Sequence, residues 1–286
     1  MKKILSQLPL LALLVLFFYA CNTGGSGEAY NIKMRLNKGD TFMQEMKMNM
    51  LINTSGMEMN MKIYAGTSFE VINSTPEEKD LKISYTKMHM GVDMGKLKSM
   101  NTPDSILNKN AANIIGKSVT LKLSKDNEIT DVSGFDEIMN NQAHDSASRE
   151  MMKKMFSKDQ FNSMFGMMFS MYPKKPVKVG ESWNNETKMK MANLEMKVAN
   201  KYTLISVKNG LAEINIDGTI GGTGEVNESS GVKMDMSGTQ KGTITIRMDN
   251  GYLHSSSYKM DMKSEMQMMG QKMEMTIKAD YDIKGN

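Results

Sequence analysis

Apolar and polar residues alternate with a period of two over much of this chain. In residues 43–63, MQEMKMNMLINTSGMEMNMKI, the residues Met46, Met48, Met50 and Ile52 share one parity, and Glu45, Lys47 and Asn49 take the other. A strand built from this segment has one greasy face and one wet face. After the turn, Met57, Met59, Met61 and Ile63 carry the opposite parity, with Glu58, Asn60 and Lys62 between them. An antiparallel hairpin puts both methionine rows on one face only when its loop holds an even number of residues. Ser55-Gly56, or the whole of Asn53 to Gly56, meets that condition. Met189 and Met191 followed by Ala192-Asn193 and then Leu194, Met196 and Val198 pass the same test. So do Met260, Met262, Met266 and Met268, followed by Met269-Gly270 and then Met273, Met275 and Ile277. The pattern predicts three hairpins that use methionine where Val or Ile is commoner.

The pattern also repeats. GDTFMQEMKMNM at 39–50 aligns without gaps on GESWNNETKMKM at 180–191, pairing Gly39 with Gly180, Asp40 with Glu181 and Phe42 with Trp183. Further on, SVTLKLSKDNEIT resembles GTITIRMDNGYL, with Val119 to Leu123 on Ile244 to Met248 and a two-residue gap before the Asp-Asn turn. An internal duplication is expected, with a first β repeat over 30–134 and a second over 173–286. Helical signals interrupt it. Thr102 and Pro103 begin a helix that carries Ile106, Leu107, Ala111 and Ile114 on one side and stops at Gly116. Over 135–172, Phe135, Ile138 and Met139 begin a short helix, and Met151, Met152, Met155 and Phe156 mark another. Ser157 to Gln160 forms a capping box for a third, in which Phe161, Met164, Phe165 and Met168 run at helical spacing until Pro173. The expected fold is mainly β (α+β): an internally duplicated, curved antiparallel sheet or half-barrel of about ten or more strands, with two to four helices covering one face.

Composition narrows the function. Thirty-six basic residues against 32 acidic leave a net charge of +4, and no Lys/Arg block is interleaved with aromatics. Nucleic acid is excluded as a partner on that ground. Met1-Lys2-Lys3 followed by the apolar stretch Ile4 to Tyr19 reads as a signal peptide over 1–20, since the stretch is shorter than the roughly 20 apolar residues of a spanning helix. Cys21 is the only cysteine and cannot form an internal disulfide. Phe18-Tyr19-Ala20-Cys21 resembles a bacterial lipobox, with Ala20 matching the small residue before the cysteine and Phe18 and Tyr19 bulkier than usual. That resemblance implies acylation of Cys21, a membrane anchor through the N-terminal lipid, and a flexible tether over 21–29. No acidic run follows the cysteine, so the resemblance points to a periplasm-facing lipoprotein of the inner or outer membrane.

The stretches YNIKMRLNKGDTF, GKSVTLKLSKDNEITDVSGFDEI and YPKKPVKVGESW are similar to a family of bacterial envelope lipoproteins with an uncharacterised domain. The family brings no activity with it. A curved antiparallel sheet covered by helices also resembles the lipoprotein-carrier fold of periplasmic chaperones that hold acyl chains, although no motif of that fold matches residue by residue.

Catalytic constellations are missing from the sequence. There is no G-x-S-x-G elbow, Gly116-Lys117-Ser118 lacks the upstream glycine of a phosphate loop, and His89, His144 and His254 have no zinc-like spacing. Asp126, Glu128 and Asp131 fall where a turn is expected. The expectation is a non-enzyme without a cofactor. Thioether sulfur packs adaptably and also suits surfaces that accept varied apolar partners. The first functional expectation is therefore an apolar ligand or partner segment held on Met46, Met48, Met50, Met57, Met59 and Met61 under a cover of Phe161, Met164, Phe165 and Met168. Thioethers also suit Cu(I), which makes Met88, His89 and Met90 an alternative metal site. In a regular strand His89 points away from its neighbours, but inward parity passes from Leu81, Ile83 and Tyr85 to Met88, Met90 and Val92, which predicts an irregularity between them. A purely structural or protein-interaction lipoprotein is the third reading.

The anchor is directly testable. Native protein from its own cells is expected to partition with membranes and to carry acyl mass on Cys21, and Cys21→Ala is expected to release it or leave it unprocessed, because two acyl chains hold far more firmly than one. Intact mass showing an unmodified Cys21 on a soluble mature chain would refute acylation.

Overall fold

The computed structural model describes residues 27–95, 108, 112, 114–134, 165–166, 168–191, 194–225, 232–268 and 271–286. Cys21, Phe161, Met164 and most of the expected helical stretches lie outside these residues. The strands are β1 (Ala29–Tyr30), β2 (Thr41–Thr54), β3 (Met57–Ser74), β4 (Glu78–Asp93), β5 (Ser118–Ser124), β6 (Ile129–Ser133) and β7 (Val177–Lys178). After them come β8 (Ser182–Met191), β9 (Leu194–Lys208), β10 (Leu211–Glu225), β11 (Lys233–Arg247), β12 (Leu253–Met268) and β13 (Gln271–Gly285). Eleven of them make one open antiparallel sheet in the order β6-β5-β4-β3-β2-β13-β12-β11-β10-β9-β8, and β1 pairs with β7 apart from it. The sheet is two up-and-down meanders, β2–β6 and β8–β13, joined where the first strand of one meets the last strand of the other. Among the described residues, α-helix is confined to Asn108, Ala112 and residues 165–166 and 168–170.

The three methionine hairpins form in the expected register. Met50 faces Met61 and Met48 faces Ile63, Met189 faces Met196, and Met266 faces Met273. Ser55 and Gly56 both have positive φ, 45° and 83°, as a two-residue turn that follows the right-handed strand twist requires. Met48, Met196 and Met262 are buried, whereas Lys47, Asn49, Glu58 and Lys62 are exposed.

The two meanders also match in detail. Gly39 N donates to Val71 O and Val71 N to Asp40 O, and in the second half Gly180 N donates to Leu204 O and Leu204 N to Glu181 O. The acid closes each turn onto a backbone N–H: Asp40 Oδ2 on Asn37 N at 2.9 Å and Glu181 Oε2 on Lys178 N at 2.8 Å. A bulge follows each, leaving Ile72 and Ile205 unpaired and equally exposed at 39%. Strand pairing corrects the second sequence alignment. Leu121 faces Leu81 in the first half as Ile244 faces Ile214 in the second, so Leu121 and Leu123 match Ile244 and Ile246. In that register the Asp126-Asn127 and Asp249-Asn250 turns coincide and the gap disappears.

Polarity divides the sheet into two faces. The outer face is a ladder of charges with exposed pairs such as Lys87–Glu45 at 2.8 Å and Lys197–Glu186 at 2.6 Å, which solvent screens. A bilayer-spanning barrel needs an apolar outer band, which is the reverse arrangement. No helix of the described residues is long and apolar enough to cross a membrane. The inner face carries the core. One cluster joins Phe42, Phe69, Leu81 and Leu121 to Phe169, and a second joins Tyr202, Leu204, Ile214 and Ile246 to Met171. The segment 165–172 thus packs between the two halves. Trp183 Nε1 donates to Met171 O at 2.8 Å and Tyr172 Oη donates to Gly251 O at 2.6 Å, which fixes it there.

At the same end of the sheet, Tyr252 stacks on Phe42 at 4.3 Å and donates through Oη to Asp40 Oδ2 at 2.7 Å, tying the first turn of one half to the second half. Burial acts to raise the Asp40 carboxyl pKa, but the hydrogen bonds from Tyr252 and from Asn37 outweigh it and hold the pKa below the ordinary value. A depressed native pKa stabilises above the unfolded value of 3.8 and is lost as pH falls through the native one. Tyr252→Phe is expected to cost about 1 kcal/mol at neutral pH, with partial exposure of Asp40 keeping the loss modest. Urea unfolding at neutral and acidic pH checks this: the gap between variant and wild type should narrow as pH falls below about 4.

Candidate functional site: a neutral cavity on the inner face

Side chains of β4 and β9 line one common cavity although seven strand spacings separate them in the sheet order. In a flat sheet these strands would stand roughly 34 Å apart. The inner face is therefore strongly concave, and a cavity of about 430 Å³ remains between its two sides and the segment 165–171. Ligand pockets span about 300–1,000 Å³.

Glycine in the strands helps make this shape. Gly242 lies opposite Tyr258, and a Cβ on it would sit 2.2 Å from Ser257 O, so only glycine permits this approach of β11 to β12. Gly218 lies between Asn200 and Gln240 in one cross-strand row. With no side chain between them, Gln240 Nε2 donates to Asn200 Oδ1 at 2.6 Å, and Asn200 Nδ2 donates to Tyr202 Oη at 3.1 Å. A Cβ at 218 would come within 2.1 Å of Asn200 Oδ1. Next to this group, the buried Ser256 and the Tyr258 ring complete the wall, with Tyr258 stacked on Tyr281 at 4.5 Å.

The opposite wall is mostly apolar. Met46, Ile63, Ala65, Phe69, Met88 and Met90 come from β2–β4, with Gln44, Thr67 and Tyr85 beside them. Phe165, Met168 and Met171 close the space, Phe165 meeting Phe69 edge-on at 6.5 Å and Gln44 Nε2 lying 3.9 Å from Met168 Sδ. Among the described residues, no Asp, Glu, Lys, Arg or His side chain lines the cavity. Burial raises the phenol pKa of Tyr85, Tyr202 and Tyr258, so these groups stay protonated at neutral pH.

The expected irregularity in β4 lies at the cavity edge. Gly66 faces Lys87 and Thr67 faces Tyr85, so Thr86 is the extra residue of a bulge. It turns Met88 and Met90 inward and leaves His89 exposed on the outer face. The structure thus does not bring the three proposed copper ligands together, and a Cu(I) site here would draw on thioethers alone. Among the described residues no three His, Cys, Asp or Glu side chains gather as a metal site.

Of the expected ligand-lining residues, Met46, Phe165 and Met168 line the cavity. Met48 is buried beside it, Met50, Met59 and Met61 are half-buried further along the same face, and Met57 at the hairpin end is 46% exposed. Sequence reasoning missed Asn200, Gln240, Ser256 and Tyr258. A signal was available: Asn200 sits in the inward parity of Val198 and Tyr202, and Gln240 in that of Met236 and Ile244, where an uncompensated amide is costly.

Part of lipovitellin, from a structure described as lipid-protein interactions in lipovitellin, superposes with a TM-score of 0.50 at 6% identity over 88% of this chain. The chain spans 25% of that lipovitellin chain's length, and the likeness shows the fold alone. An outer membrane channel from Pseudomonas putida F1 covers 88% of this chain and 97% of its own at 6% identity, with a TM-score of 0.23. No characterised protein sequence matches. A family model does match, over residues 76–253, from β3's turn through the start of β12, and by that match the chain belongs to the family of unknown function DUF6263.

Proposed function

We propose that this protein is a non-enzymatic, membrane-anchored envelope lipoprotein that takes up an apolar ligand in the cavity of its curved sheet. The carrying observation is a neutral, largely apolar space of about 430 Å³ under a cover, on a sheet whose opposite face is charged. The fold likeness to lipovitellin, whose structure is described in terms of lipid-protein interactions, supports the reading. Each methylene buried there contributes about 0.8 kcal/mol, so ten give about 8 kcal/mol before the costs of association. Cys21 would hold the domain at the membrane where such ligands reside.

Gentle purification from native cells followed by native mass spectrometry is expected to show a lipid-sized adduct on the full chain. Ala65→Leu projects new methyl groups from the cavity wall and should weaken binding of an alkyl probe at least about tenfold, as overfilling a packed space does. Met57→Leu, outside the cavity, should leave binding unchanged, with cooperative unfolding of both variants as the folding control. Absence of any adduct, together with equal probe binding by wild type and Ala65→Leu, would sink the proposal. A tight copper complex without lipid would favour the thioether metal reading instead.

A further inference from the structure

The cavity wall is not uniformly greasy, and its polar groups are one-sided. Asn200, Tyr202, Gln240, Ser256 and Tyr258 all come from β9–β12. A buried amide pair can exist simply to satisfy itself and fix a register. This group is not self-satisfied. Among the described residues, Gln240 Nε2 and Asn200 Nδ2 each make one bond, leaving the second hydrogen of each amide and the Gln240 carbonyl open. The Ser256 hydroxyl, on a residue 7% exposed, borders the same space. Donors and acceptors therefore face the same space, and buried polar groups of this kind are normally matched by a partner.

Resting on the proposed apolar-ligand function, we infer that the ligand is a single-chain neutral amphiphile. Its uncharged head, an alcohol, ester or amide, bonds to Gln240 and Ser256, and its hydrocarbon tail runs along Met46, Ala65, Met88 and Met90. A head with both donor and acceptor character matches a wall that offers both. A carboxylate, phosphate or ammonium would give up its hydration with no counter-charge among the described lining residues, which is costly. Size points the same way. A protein cavity of about 150 Å³ holds benzene, so scaling by volume gives roughly 17 non-hydrogen atoms here, one sixteen-carbon chain with a small head and too few for two chains.

The test uses the full chain at pH 8 and three probes of equal chain length: hexadecanol, palmitate and hexadecyltrimethylammonium, each displacing a neutral fluorophore. Hexadecanol is expected to bind at least about tenfold tighter than either ion. Gln240→Leu and, separately, Ser256→Ala should weaken hexadecanol and reduce that preference, Ser256→Ala serving as the milder change should Gln240→Leu disturb folding. Palmitate should approach hexadecanol as pH falls and its head becomes neutral, because no acidic or basic side chain of the described residues lines the cavity. Ionic probes binding as tightly as hexadecanol, or a preference unchanged in both variants, would overturn the neutral-head inference while the cavity function stood. Failure of every probe to bind would overturn both.

Discussion

The pairing of β13 with β2 is the contact on which the sheet depends. Its register runs unbroken from Met275 opposite Thr54 to Gly285 opposite Gln44. Asn286 then fastens the end, accepting from Met43 N through Oδ1 at 2.9 Å. Every other neighbour in the sheet follows in sequence, so each meander can form by local hairpins. Only this pair joins residues from opposite ends of the domain, and closing so long a loop carries an entropic cost that its backbone bonds and side chains must offset. Met46 beside Ile283, Met48 beside Tyr281 and Met50 beside Ala279 make the inner face continuous across the seam. Without the seam each meander would have half a concave face and no reason to enclose anything.

Closure at the seam creates a surplus of apolar surface, and the segment 165–172 covers only part of it. Phe169 belongs to the core of the first half and Met171 to that of the second, so the segment wedges between them near the Tyr252 end. Beyond the wedge, Ala65 and the strand glycines leave the wall thin, and the cavity occupies that interval. Methionine suits the rim of such a space because its flexible side chain adapts to whatever stands next to it.

Local and repeated features were legible in the sequence because they depend on parity. The Ser55-Gly56 loop fixed which residues face one another, and the passage from Tyr85 to Met88 located the Thr86 bulge. The Gly-acid turns at Gly39 and Gly180 announced the repeat. The seam was not legible, since nothing in β2 or β13 alone names the other as its partner. Nor was the position of the cavity. Met46 and Met57 carry the same pattern, yet one lines the cavity and the other is largely in solvent, because tertiary cover and not periodicity decides. The Asn200–Gln240 pair needed both adjacent strands in register before its meaning could be seen.

Thr86 has a consequence for how such a scaffold can diversify. Downstream of the bulge, which side chains face the cavity is a matter of counting. Were Thr86 to take the place opposite Gly66, with no bulge, Lys87 would face Ala65 and His89 would face Ile63, bringing both to the inner face in place of Met88 and Met90. A hydrocarbon wall would become a cationic, titratable one without a single amino-acid replacement. The chemistry of the cavity wall is thus held partly in strand register, and the loss of one bulge would change it from apolar to cationic.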